Sequence, residues 1–131
     1  MAKMILVGLV EPKDPDSREA FDAWYLGNHV EDTTNCPGFV SGTVYRLDRG
    51  FAGTTPAQYL TIYEVDGDDP QEAEKILGRY QRDPHAWPHR LPPNGSLKIL
   101  GAGWYRLDRR IDPRERQPAG GQQRKTTKAV S

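Results

Sequence analysis

Between Phe21 and Phe39 the chain carries an imidazole, an amide and three aromatic rings at spacings that could bring them together. On a helix, Phe21, Trp24, Tyr25, Asn28 and His29 fall at i, i+3, i+4, i+7 and i+8 and so share one face. Phe21 and Trp24 turn that face inward, which leaves a buried stripe ending in an amide and an imidazole. A helix that only had to pack would continue with Leu or Ala there. A polar pair at the inner end of an apolar stripe suggests a lined pocket. His29 is the acid–base candidate, because an unperturbed imidazole titrates at about 6.5 and exchanges protons near neutral pH. Its expected place in the last helical turn favours the imidazolium through the helix dipole. The plainer role for it is a helix-ending His that bonds a free carbonyl. Tyr25 offers a phenol donor, and Trp24 a stacking surface or an ordinary core ring. Asn28 could orient a carbonyl or merely cap the helix end.

Other residues extend the candidate list. Tyr45, Tyr63 and Tyr105 lie on three expected strands, where a cluster of phenols could bind and polarise an enolate or could pack an interface. Glu64 falls on the opposite strand face from Tyr63, and if that face is buried it needs a partner such as Arg46 or Arg106. His85 and His89 are four apart, but Pro84 and Pro88 prevent a helix from aligning them, and no Cys pair or HExxH accompanies them. No metal is therefore expected, and His85 and Trp87 read better as residues lining the pocket from a loop. Cys36 has no base motif beside it and reads as a small loop residue.

Positioning these groups requires a framework, and the chain supplies one in order. Lys3–Val10 is a continuous apolar run and reads as a buried central strand. Asp16 and Glu19 form a capping box that opens a helix running to about His29. A loop over Val30–Gly38 leads to a strand at Phe39–Asp48 with neither face clearly polar, as expected of a strand covered on both sides. A third strand spans Ala57–Val65. A second helix starts at Pro70, with Asp69 as N-cap, and its stripe of Ala73, Ile76, Leu77 and Tyr80 looks purely structural. Gln81–Ser96 is a Pro-rich loop. Leu97–Leu107 is the last strand, with Gly101 and Gly103 marking a bulge or a close approach.

The order is βαββαβ. That predicts an α+β, ferredoxin-like domain over 1–111: a four-stranded antiparallel sheet with two helices on one face. Tyr45–Arg49 repeats as Tyr105–Arg109, at the ends of the second and fourth strands, as a pseudo-two-fold would place them. The uncovered sheet face would expose too much apolar surface for a monomer, so a homodimer through that face is expected.

Composition bounds the function. Residues 1–111 hold 13 Lys/Arg against 16 Asp/Glu, so the folded part is mildly acidic and no nucleic-acid partner is expected. Residues 112–131 hold 5 against 2 and read as a disordered basic tail. The apolar run at Met4–Val10 is too short to span a membrane and no signal-peptide cleavage pattern follows it, so no membrane association is expected. A single Cys excludes an internal disulfide and fits a reducing, cytoplasmic compartment. No Walker loop, GxGxxG or pyridoxal-lysine context is present, so no cofactor is expected.

The strand M-I-L-V-G-L, the stretch F-D-A-W-Y-L-G-N-H-V with P-G-F following, and the strand Y-L-T-I-Y-E-V resemble the dimeric α/β-barrel superfamily over residues 3–108. The likeness is to its EthD-like and antibiotic-biosynthesis branch, with polyketide cyclases more distant. It implies a dimeric α/β barrel with a cleft for an aromatic or polyketide-like small molecule, and an acid–base His at the position of His29. Taken together, these features point to a cofactor-independent enzyme of lyase, isomerase or cyclase type. His29 and Tyr25 would be catalytic. Trp24, Asn28, Tyr45, Tyr63, His85, Trp87 and Tyr105 would bind substrate. A cofactor-free monooxygenase of the same fold and a non-catalytic ligand-binding protein are the alternatives.

Overall fold

The structure, a computed structural model, describes residues 4–87 and 97–114. Strand β1 (Met4–Pro12) is followed by a short 3-10 turn (Pro15–Ser17) and then by three helical pieces in direct succession. These are α1 (Arg18–Trp24), a π-helical turn (Tyr25–His29) and α2 (Val30–Thr34). Strands β2 (Phe39–Arg46) and β3 (Tyr59–Val65), helix α3 (Pro70–Gln81) and strand β4 (Leu97–Arg106) complete the order. The sheet runs β2-β3-β1-β4 with every neighbouring pair antiparallel. This is the expected α+β ferredoxin-like arrangement, with β1 at its centre.

Alternation along the strands decides which side chains meet the helices. Tyr59, Thr61, Tyr63 and Val65 of β3 are all buried, and their partners on β1 are Val10, Gly8, Leu6 and Met4. These pack against Phe21, Trp24, Tyr25 and Val30 in one core rich in aromatic rings. Phe21 lies at its middle, fully buried, with its ring stacked on Tyr25 at 5.2 Å and on Tyr59 at 5.8 Å. At the edge of the core the Tyr59 hydroxyl donates to Asp22 at 2.5 Å, beneath the Arg46 guanidinium.

The first helix departs from expectation at both ends. Its cap is Asp14, whose side chain accepts from Ser17 N–H at 2.9 Å; Pro15 then takes the first helical position, so the turn opens two residues before the Asp16–Glu19 box. It also runs on to Thr34 instead of stopping at His29. The hydroxyls of Thr33 and Thr34 bond back to the carbonyls of His29 and Val30, and Gly38, at φ +91°, turns the chain into β2. The capping of α3 is as read from sequence, with Asp69 accepting from the N–H groups of Gln71 and Glu72.

Strand β2 is not covered on both sides. It is an edge strand and mostly open to solvent, which is why neither of its faces is selected to be apolar or polar. The bulge expected in β4 is present, since the register to β1 slips between Leu9 and Val10 and leaves Leu100 unmatched just before Gly101. The repeated Tyr-Arg words do occupy equivalent strand ends. Arg46 pairs with Asp22 at 3.7 Å, and Arg106 donates to the Asp68 carbonyl at 2.6 Å. No described helix is long and apolar enough to cross a membrane. His89 and most of the tail expected at 112–131 fall outside the described residues.

Candidate active site

The centre of the site is the π-helical turn. There the Val30 N–H donates to the Tyr25 carbonyl five residues back, which widens the turn. Tyr25 and His29 sit at its two ends with their rings stacked at 5.6 Å and 26°. His29 lies flat on Trp24 at 4.5 Å and 28°, and the Trp87 ring, tilted by 45°, lies at 5.6 Å. The imidazole is thus held among three aromatic rings. It is half-buried as a residue, but its Nδ1 is fully enclosed and has no hydrogen-bond partner among the described residues.

That environment inverts the expectation drawn from the helix dipole. Burial pushes the His29 pKa down to about 4, against a smaller opposing pull from the Asp32 carboxylate one turn on. The helix does not end at His29, so no free carbonyl is available there to favour the imidazolium. His29 is therefore neutral at pH 7. Tyr63 and Tyr25 are raised above the ordinary phenol range, chiefly by burial, and both stay protonated. The Tyr25 hydroxyl shares a hydrogen bond of 2.7 Å with Thr61 Oγ1, and Tyr63 lies beside Tyr25 and Thr33.

These groups border a half-open cavity of about 140 Å³ between helices and sheet. The sheet side is formed by Leu6, Gly8 and Val10 of β1 with Leu97, Ile99 and Ala102 of β4. The helix side is Tyr25, His29 and Thr33, together with Leu77 and Gln81 of α3. Tyr63 and Trp87 complete the described lining. A neutral imidazole and two neutral phenols on a lining that is apolar but for Thr33 and Gln81 can accept one proton and donate hydrogen bonds to an oxygen, in a setting where water competes weakly.

Of the residues expected at the site, His29, Tyr25, Tyr63 and Trp87 are brought together. Trp24 stands behind His29, as a core ring that supports the imidazole without lining the cavity. Asn28 and His85 do not line it either, and His85 is exposed with its backbone N–H tied to Asp83. Tyr45 and Tyr105 are placed on the wrong face for a pocket role. Tyr45 pairs with Leu60 and Tyr105 with Ile5, so both project from the open side of the sheet, 55% and 59% exposed. A spacing of two decides the face of a strand residue, and Tyr45 and Tyr105 are out of phase with Tyr63. Glu64 is on that open face too, exposed, and accepts from the Ser41 hydroxyl at 2.7 Å in place of an Arg partner.

The α3 stripe is more than structural, since Leu77 lines the cavity and Gln81 adds an amide one turn on. Gly8 and Ala102 also escape sequence reasoning. The available signal was a lone Gly inside an apolar strand, which marks a close approach or a missing side chain. Cys36 is buried, and burial pushes its thiol up to about 11, as suits an unreactive core residue. Among the described residues no three His, Cys, Asp or Glu side chains converge as a metal site.

The sequence matches no protein-family model and no curated relative. Solved structures resemble the chain. The fold is ferredoxin-like. HapK from Hahella chejuensis shares 10% identity, with 84% of this chain and 98% of that chain covered and a TM-score of 0.49. An EthD family protein from Bacillus halodurans c-125 shares 18%, covering 79% and 97% with a TM-score of 0.47. A monooxygenase from the gene ActVA-Orf6 of Streptomyces coelicolor, solved in complex with nanaomycin D, shares 19%, covering 86% and 94% with a TM-score of 0.45.

Proposed function

We propose that this protein is a small-molecule enzyme that works by proton abstraction and return, with His29 as the proton acceptor. The observation that carries this is a neutral imidazole on the wall of a largely apolar cavity, beside two protonated phenols. In the step, a C–H bond next to a ligand carbonyl breaks and its proton passes to the imidazole. The electron pair moves onto the carbonyl oxygen, where the Tyr25 or Tyr63 hydroxyl donates to the developing enolate. The imidazolium so formed faces the Trp24 ring and the Asp32 carboxylate, and returning the proton at another carbon completes an isomerisation. In a cyclisation the enolate carbon instead attacks a second carbonyl of the ligand, and the proton returns to the alkoxide oxygen so formed.

The open sheet face is proposed to seat a second copy. Ile5, Val7, Leu9, Leu60 and Ile62 alternate onto that face with Tyr45 and Tyr105. The lone, buried Cys36 fits a cytoplasmic setting.

The test is hydrogen–deuterium exchange at the acidic carbon of small aromatic β-dicarbonyl compounds such as benzoylacetone, followed by NMR. The protein should accelerate exchange, and His29→Gln should reduce that acceleration by roughly 100-fold or more. A His29→Gln chain that is folded and exchanges at the wild-type rate excludes the assignment. Oxygen uptake in the same assay would indicate the oxygenase alternative instead.

A further inference from the structure

We propose that Gly8 sets the specificity of this cavity: with Ala102 beside it, its missing side chain leaves the seat for one uncharged six-membered ring. The proposal rests on the cavity being the ligand site, but not on the proton chemistry assigned to His29.

Four observations converge. First, Gly8 is the centre of the sheet side. It pairs with Thr61 of β3 and Ala102 of β4, so three small residues meet between Leu6 and Val10. A Gly inside a central strand costs about 0.5–1 kcal/mol against Ala, so its presence in an otherwise apolar run calls for a reason. Second, the reason is not crowding. A Cβ added at Gly8 would meet nothing within 4 Å. Gly42, on the same face of β2, is the opposite case, since a Cβ there would strike Thr34 Oγ1 and come within 3.2 Å of the Tyr63 ring. Gly42 lets two neighbours pack, whereas Gly8 keeps a space open.

Third, the space has the volume of one ring. At about 140 Å³ it is close to the roughly 150 Å³ cavity that binds benzene in an engineered protein core. It is well below the ~300 Å³ at which ligand pockets for larger molecules begin. Fourth, its chemistry selects against charge. Among the described residues no Asp, Glu, Lys or Arg side chain lines it, and its polar groups are the side chains of Tyr25, His29, Thr33, Tyr63 and Gln81 beside the Trp87 ring. An uncharged ring loses little hydration on entering such a lining, whereas a carboxylate loses much.

The experiment uses the full chain and three probes: acetophenone, 1-acetonaphthone and benzoate. Binding is read from ¹H–¹⁵N spectra, including the Trp87 indole signal assigned through Trp87→Phe. Acetophenone should bind and shift that signal, while the two-ring ketone and the carboxylate should bind at least about tenfold more weakly. Gly8→Leu should weaken acetophenone binding by at least about tenfold without lowering the thermal midpoint, because the added side chain occupies space that is already empty. Gly8→Ala adds a single methyl and should fold as wild type with a smaller loss.

The proposal fails if acetophenone does not bind the wild-type chain, if 1-acetonaphthone or benzoate binds as well, or if Gly8→Leu binds acetophenone as wild type does. A Gly8→Leu chain that does not fold, with Gly8→Ala at wild-type affinity, also overturns it, since the space would then not be open. The two assignments fail separately. Selective ring binding without deuterium exchange removes the proton chemistry and leaves the seat. Exchange with no dependence on residue 8 removes the seat alone.

Discussion

Lowering the pH from about 7.5 to about 5 should destabilise this fold by about 2 kcal/mol through His29 alone. The sign follows from the lowered pKa. An unfolded imidazole titrates near 6.5 and the folded one at about 4. Between those values the unfolded chain holds a proton that the folded chain refuses, so acid favours unfolding. The His29 contribution is complete above about pH 6.5 and is lost as pH falls toward 4. The groups around the ring set the size: Trp24, Tyr25 and Trp87 desolvate it, and only Asp32 works the other way.

At about pH 5 nearly all unfolded molecules and only about a tenth of folded ones carry the proton, which gives the ~2 kcal/mol. For a domain of this size that is roughly 10 °C in thermal midpoint. The assay is urea unfolding followed by tryptophan fluorescence across this range, for wild type and for His29→Gln. The difference between the two slopes reads the contribution of His29. Parallel slopes, or a His29 resonance that titrates at 6.5 or above, would refute the enclosed neutral imidazole. A resonance that titrates well above 7 would also remove His29 as proton acceptor, since an imidazole charged at neutral pH has no lone pair to offer.

Two further outcomes follow from particular contacts. Tyr25→Phe should cost about 1–3 kcal/mol in urea unfolding, because it strands the Thr61 hydroxyl, which has no solvent exposure. Tyr25→Phe with Thr61→Val should recover part of that loss, and a strictly additive double variant would show that the hydroxyls do not depend on each other. Sedimentation should give a dimer, and Ile62→Glu, at the middle of the open sheet face, should give a folded monomer. A monomeric wild type, or a dimer indifferent to Ile62→Glu, would rule out that interface.

Much of the fold was legible because it depends on local periodicity. β1 is a central strand because an unbroken apolar run can only be satisfied with neighbours on both sides. Asp69-Pro70 starts α3 because a side-chain acceptor followed by a residue with no N–H is what a helix N-terminus needs. The end of the first helix was harder to read. Nothing local forbids helix from Val30 to Thr34, and back-bonding by Thr33 and Thr34 extends it to the turn at Gly38. The dipole estimate for His29 failed with that boundary.

The sequence by itself determined the element order, the aromatic core around Phe21, and the pairing of Tyr25 with His29 four residues apart on an inward face. Those are properties of spacing and side-chain type, which the chain carries before it folds. The tertiary structure alone decided which phenols belong to the site. Tyr63 faces the helices and Tyr45 and Tyr105 do not, because register is settled between strands and not within one. It also decided the charge of His29. The same imidazole would be half protonated at pH 6.5 on a surface; here it stays neutral because three rings from two distant segments exclude the water that an imidazolium requires. The cavity, too, is visible only in three dimensions. It is the space that Gly8 and Ala102, almost a hundred residues apart in the chain, leave unfilled beside each other.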